Sequence, residues 1–195
     1  MVIRKPTVQL SFVPSHLQCA TEEHEFRKIW ELREQEYSRL YPAMAHFRDD
    51  IYDGEACVLY SESESGILTS TGRIVFDGSL GLPADELIKP EIDKLREQGL
   101  RVAEISKFAI TKEARGILPF YFYTYYEIAA SYGIDSMIFI IRDKNVQLYQ
   151  KTARARVLLN DIGYHYGTHF CFALLECRVK EVTPTFLRYW GEHAL

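Results

Sequence analysis

A carboxylate and an ammonium stand three residues apart inside an apolar segment, Val102-Ala103-Glu104-Ile105-Ser106-Lys107-Phe108-Ala109-Ile110. Burying either charge is costly unless it is paired or put to use. The segment therefore either meets an ion-pair partner or lines a cleft. In a regular strand this odd spacing sends Glu104 and Lys107 to opposite faces. A bulge between them brings both to one face and opens the sheet at that point. Glu104 is then a candidate general base, and the alternative is an ion pair with Lys107 or Arg73 that only ties strands together. Thr111-Lys112-Glu113-Ala114-Arg115-Gly116 follows at once and opens a helical run, a turn suited to holding a phosphate on backbone N–H groups.

The elements that must carry these residues alternate in type. Residues 7–13 alternate like a short strand. Over residues 21–40 the set Phe26, Ile29, Trp30, Leu32, Arg33, Tyr37 and Leu40 recurs at helical spacing, with Thr21 as N-cap, an acidic first turn, and Pro42 as the stop. Residues 56–60 and 67–76 read as a hairpin across the polar turn 61–66. A short amphipathic helix over 84–98 precedes the charged strand. A helix over 114–132, a strand over 136–141, a helix over 145–160 and two strands within 163–179 complete the order. This α/β (α+β) order predicts one domain over residues 1–195, with a mixed sheet covered by helices on both faces.

The chain is 47% hydrophobic and 26% charged, with a formal net charge of -4. That balance suits a globular protein and supplies no general excess of cations for nucleic acid. No apolar run approaches a membrane span, and Met1-Val2-Ile3-Arg4-Lys5-Pro6 lacks the apolar core of a signal peptide, so a cytoplasmic protein is expected. Cys19, Cys57, Cys171 and Cys177 form no CxxC pair and no metal-ligand spacing. They read as reduced, mostly buried thiols, and no metal is expected.

Particular residues resemble a known family. Arg33 and Tyr37 lie one helical turn apart, Asp50-Ile51-Tyr52-Asp53 sets two acids about a short aromatic segment, Arg73 stands on the second hairpin strand, and Glu104-Ile105-Ser106-Lys107-Phe108 follows. This ordered set resembles the carrier-protein-using branch of the Gcn5-related N-acyltransferases, namely N-acyl amino acid synthases of the FeeM type and acyl-homoserine lactone synthases. The resemblance spans roughly residues 22–177. It implies a mostly antiparallel sheet, splayed at a bulge. The departure is Lys107, where that branch usually has arginine; lysine keeps the charge and loses the bidentate fork. Acyltransferases of this fold usually show an Arg/Gln-x-x-Gly-x-Gly/Ala loop for the coenzyme A pyrophosphate. Here Arg115-Gly116-Ile117-Leu118-Pro119 has one glycine, which hinders close backbone approach to a diphosphate and favours a carrier-borne phosphopantetheine. Asn145-Val146-Gln147-Leu148-Tyr149 resembles the superfamily's last helix, in which a tyrosine protonates the departing thiolate. Tyr149 is the general-acid candidate by that match, and a helix-packing tyrosine otherwise.

The resemblance implies transfer of a long-chain fatty acyl group from acyl carrier protein to the α-amine of an amino acid, tyrosine by preference, with no bound cofactor. Substrate-binding residues are then Arg33, Tyr37, Asp50, Asp53, Arg73, Ser106, Lys107 and Phe108, with Arg33 and Arg73 near the acceptor's carboxylate. Arg33 otherwise reads as a solvated helix arginine, and Asp50 and Asp53 as loop caps. Acyl and pantetheine contacts fall to Ile110, Arg115, Gly116, Phe120, Tyr123, Phe139 and Asn145. The run Phe120-Tyr121-Phe122-Tyr123-Thr124-Tyr125-Tyr126 has aromatics around most of a helix, fitting an acyl groove or a central helix packed on several sides. Arg142, Lys144, Lys151, Arg154 and Arg156 against Asp143 form a basic patch on an acidic protein, fitting an acidic carrier or a solvated face. Alternatives are lactone synthesis from S-adenosylmethionine, acetylation from coenzyme A, and a non-catalytic acyl-binding domain.

Overall fold

The computed structural model describes residues 17–38, 40–41, 50–163 and 169–182. The expected strand over 7–13 and the stop at Pro42 lie outside the described residues. In chain order the elements are β1 Gln18–Cys19, α1 Glu23–Ser38, a 3₁₀ turn Ile51–Gly54, β2 Ala56–Glu62, β3 Leu68–Phe76, α2 Asp85–Glu97, β4 Val102–Ile110, α3 Leu118–Ser131, β5 Ser136–Arg142, α4 Val146–Thr152, β6 Arg156–Leu159 and β7 Phe172–Arg178. The sheet order is β1-β2-β3-β4-β5-β7-β6. Every pairing is antiparallel except β4 with β5.

Local chemistry accounts for the boundaries. At α1 the Glu25 carboxylate reaches back to the N–H groups of Thr21 and Glu22, the reciprocal contact of a capped first turn. The helix buries Phe26, Ile29, Leu32 and Arg33. In α2 the backbone kinks at Ile88, two residues before Pro90. The helix expected over 145–160 is shorter than predicted. It ends at Thr152, Arg154 turns into left-handed backbone with φ 51°, and residues 156–159 instead pair with β7. A free strand edge beside an apolar Val157-Leu158-Leu159 run overrides local helix preference there. Of the two strands expected within 163–179, the described residues hold β7, and residues 164–168 lie outside the described residues.

The core has two layers, one on each sheet face. Ile74, Ala103 and Ile105 meet Tyr121, Phe122 and Tyr125 of α3 on one side. On the other, Val58, Val75 and Val102 meet Ile29 of α1 and Ile92 of α2. Alternation along β3 and β4 thus serves both layers. Among the described residues no helix is long and apolar enough to cross a membrane, no cluster of metal-ligating side chains occurs, and none of the four cysteines forms a disulfide, with Cys57 and Cys177 buried.

Candidate active site

The site begins where the sheet comes apart. β4 pairs with β5 only from Val102 to Glu104. Beyond that point β5 continues against β7 alone, and a notch opens between the two parallel strands at their carboxyl ends, where α/β sheets generally bind ligands. On its other edge β4 carries the expected bulge. Thr71 faces Ala109 and Arg73 faces Ser106, so Lys107 and Phe108 share the place opposite Gly72. Lys107 takes left-handed backbone, φ 57°, uncommon for a side-chain-bearing residue. A Cβ on Gly72 would lie 2.8 Å from the Phe108 ring and 2.9 Å from the Tyr125 hydroxyl. Glycine there lets the bulge close on the aromatic helix. The Tyr37 hydroxyl pins the same bulge by donating to the Phe108 carbonyl at 2.7 Å.

A chain of alternating charges lies against the bulge. Asp53 accepts from Arg33 Nη1 at 2.6 Å, Trp30 Nε1 at 3.0 Å and Arg73 Nη1 at 2.8 Å. Arg73 also pairs with Asp50 at 3.0 Å, and Asp50 pairs with Lys107 at 3.3 Å. Asp50 serves as well as the cap that accepts the Tyr52 N–H. Burial would raise both aspartates, but the arginines prevail: Asp53 sits below the ordinary carboxylate range and Asp50 is held at about 2. Burial lowers the Lys107 ammonium and Arg73 lowers it further, while Asp50 opposes them. Among the described residues the cluster joins Arg33, Arg73 and Lys107 to Asp50 and Asp53. Arg33 is fully buried and is absent from the cavity wall.

Glu104 faces the same space. It is 3% exposed, and its Oε2 accepts the Ala84 N–H at 2.7 Å from the turn that opens α2. Burial pushes its carboxyl up to about 7; the Ala84 N–H, Arg73, the Ser106 hydroxyl and Lys107 oppose that rise without cancelling it. Tyr149 lies across the notch, its ring 5.3 Å from both Phe122 and Phe139. Burial raises the Tyr149 phenol, so its proton stays in place at neutral pH. Tyr37, Asp50, Arg73, Glu104, Ser106, Lys107, Phe108, Asn145 and Tyr149 all line one cavity of about 490 Å³.

Other expected positions lie elsewhere. Phe139 is core, and Phe120 and Tyr123 are half-buried flanks of α3. Ile110 ends β4, and Arg115 and Gly116 are exposed before α3; none of these six lines the cavity. The inner aromatics of α3 pack tightly: Tyr121, Phe122 and Tyr125 meet Phe108 edge-on at 5.4, 6.2 and 6.1 Å. That is the packed-helix reading of the aromatic run. In the basic patch Lys144, Lys151 and Arg154 are exposed, Arg156 pairs with the buried Glu176, and Arg142 enters the cavity wall with its guanidinium over the Phe170 ring. Sequence reasoning missed the contribution of α2's opening turn, Pro83, Ala84, Glu86 and Leu87. A Leu-Pro-Ala break before a helix marks a turn, and says nothing of which strand it touches.

A splayed parallel pair, a β4 bulge and a buried acid and phenol in one notch form the arrangement that the resemblance to the Gcn5-related acyltransferases implies. Solved structures agree in fold. FeeM, an N-acyl amino acid synthase from uncultured soil microbes, superposes with a TM-score of 0.71 at 19% identity, over 92% of this chain and 93% of that one. BjaI, a coenzyme A-dependent acyl-homoserine lactone synthase, gives 0.66 at 11% identity over 92% and 89%. A putative N-acetyltransferase from Lactobacillus plantarum gives 0.58 at 11% over 84% and 97%. No curated protein matches the chain. The sequence model of the FeeM family, N-acyl amino acid synthases, matches residues 28–170. The chain belongs to that family, and it is an acyltransferase.

Proposed function

We propose that the enzyme moves a long-chain fatty acyl group from the phosphopantetheine thioester of an acyl carrier protein to the α-amine of an amino acid, with tyrosine as the acceptor. The observation that carries this reading is Glu104, a buried carboxyl pushed up to about 7 in the wall of the notch. Such a base is largely ionised just above neutrality and still able to hold a proton.

In the reaction the amine attacks the thioester carbonyl and Glu104 takes its proton. Backbone N–H groups on the edge of β4 that β5 leaves beyond Glu104 are suited to hold the developing oxyanion. The carbon–sulfur bond breaks, and Tyr149 gives its proton to the departing thiolate. The proton on Glu104 leaves through solvent, and solvent restores that of Tyr149. The Arg33, Arg73 and Lys107 cations, held by Asp50 and Asp53, make this wall electropositive and suit the acceptor's carboxylate. Arg73 and Lys107 are the members that line the cavity, whereas Arg33 is sealed behind Asp53. Ile105, Ile140, Ile141, Phe172 and Tyr41 supply the apolar wall for acyl carbons.

Support for a carrier-borne donor comes from the single-glycine turn at Gly116 and from exposed Lys144, Lys151 and Arg154 close in sequence to the notch residues Arg142, Asn145 and Tyr149. Such a donor belongs to the cytoplasm. The test is mass spectrometry of products from acyl carrier proteins of several chain lengths with mixed amino acids and, separately, S-adenosylmethionine. N-acyl tyrosine is the expected product. Lactone formation, or turnover of acetyl coenzyme A alone, contradicts the proposal.

A further inference from the structure

Glu104 takes its one backbone hydrogen bond from another element. The donor, the Ala84 N–H, sits in a turn closed by side-chain contacts with Arg96 at the far end of α2. Arg96 Nη1 and Nη2 donate to the two Asp85 oxygens at 2.7 Å each. Asp85 Oδ2 in turn accepts the Leu82 N–H at 2.8 Å. Gly81 brings the chain close to that carboxylate: its φ is +68°, and a Cβ there would lie 2.6 Å from Asp85 Oδ2. Arg96 also donates from Nε and Nη2 to both Asp77 oxygens, at 2.7 and 2.8 Å. The Asp77 N–H donates to the Val102 carbonyl at 3.2 Å, two residues before Glu104 on β4. A closed path therefore runs from β4 through Asp77, Arg96 and Asp85 to the 82–84 turn, and returns to β4 at Glu104.

Isolated ion pairs at this exposure contribute little stability; Arg96 is 25% exposed. Bidentate guanidinium contacts fix orientation, and this one orients the turn that faces the site. We infer that Arg96 is a positioning residue for Glu104, clamping Asp85 and Asp77 so that the Ala84 N–H stays on the Glu104 carboxylate. The inference rests on Glu104 being the base of the proposed reaction, yet the hydrogen bond itself is readable without turnover.

The groups facing Glu104 fix the direction of the effect. Arg73 from β3 and Lys107 from β4 favour the carboxylate, while Tyr52 from the 3₁₀ turn and Asp85 and Glu86 from α2 share its neighbourhood. Releasing the Ala84 N–H leaves burial less opposed, so the Glu104 midpoint rises. One hydrogen bond to a charged acceptor corresponds to about one pH unit.

The experiment is a carbon-13 titration of glutamate-labelled protein, with Glu104→Gln identifying the signal. The wild-type midpoint is expected at about 7. Arg96→Gln raises it by about one pH unit, and the acid limb of kcat/KM moves with it. Asp93→Asn, which removes an Arg96 partner that does not touch the turn, leaves both in place. Asp85→Asn keeps an acceptor for Leu82 while weakening the clamp. It gives a smaller rise, and it carries the test if Arg96→Gln does not fold. A folded Arg96→Gln protein whose Glu104 midpoint is unmoved overturns the inference, even if its turnover falls. A moved midpoint in protein that shows no acyl transfer in any form upholds the clamp and refutes the proposed reaction.

Discussion

Asp53 and Glu104 are equally buried, each 3% exposed, and their chemistry diverges. Asp53 accepts hydrogen bonds from two arginines and a tryptophan, so its carboxyl falls below the ordinary range in spite of burial. Glu104 has one backbone N–H and a serine hydroxyl, with Arg73 and Lys107 acting on it only as nearby charges, and burial prevails. The number of charged donors in direct contact, more than depth, separates a structural carboxylate from one that trades protons at neutral pH.

Glu104→Gln breaks the comparison most severely. It should lower kcat/KM by about 10²–10⁴-fold and abolish the acid limb of the pH profile. The same variant should be more stable than the wild type at pH 8. Folding raises the Glu104 pKa from its ordinary 4.5 to about 7, so between those values the folded protein keeps a proton that the unfolded chain has released. Wild-type stability therefore falls as pH rises through that window. Glu104→Gln escapes the loss, worth about 3 kcal/mol above it, and the advantage closes near pH 4.5. Chemical denaturation at both pH values reads the difference.

Asp53→Asn should act in the opposite sense, costing about 3–5 kcal/mol at neutral pH because two buried guanidiniums lose a shared partner. A lower denaturant midpoint with an unchanged slope is the expected result. Tyr149→Phe should lower kcat by about a hundredfold, the low end for a general acid, with an ordinary thioester, and by much less when the leaving thiol is acidic and needs no proton. Smallest is the charge patch: reversing Lys144, Lys151 and Arg154 should raise KM for a carrier-bound donor several-fold while a pantetheine thioester is spared. Equal loss with both donors counts against docking. Arg156 is left intact because its reversal would place a second carboxylate beside the buried Glu176.

Much of the site was legible because it is built from charges in apolar sequence. Glu104 and Lys107 in one strand left a bulge or an ion pair open, and the strand pairs regularly through Ser106 and bulges at Lys107 and Phe108. Arg33, Asp50, Asp53 and Arg73 came from family resemblance, and their helix-face and loop-cap readings stood open beside it. What sequence could not supply was partner count. Nothing in the chain order tells that Asp53 collects both arginines while Glu104 meets a backbone N–H of α2. Long-range contacts also decided the misses. The helix over 145–160 gave way to an edge strand because β7 offered a partner, and most of the inner α3 aromatics went to core packing because Phe108 at the bulge filled the space beside them. Lys107, the family departure, keeps a charge role through Asp50 on a left-handed backbone that the sequence did not announce.

The pH dependence of kcat/KM, measured with one acyl carrier thioester and one amino acid on wild type and Glu104→Gln, tests the central claim. With Glu104 as the base, the wild-type profile rises through an acid limb at about pH 7, and that limb is missing in Glu104→Gln. A limb near the ordinary carboxylate value of 4.5, or one that survives the substitution, contradicts it.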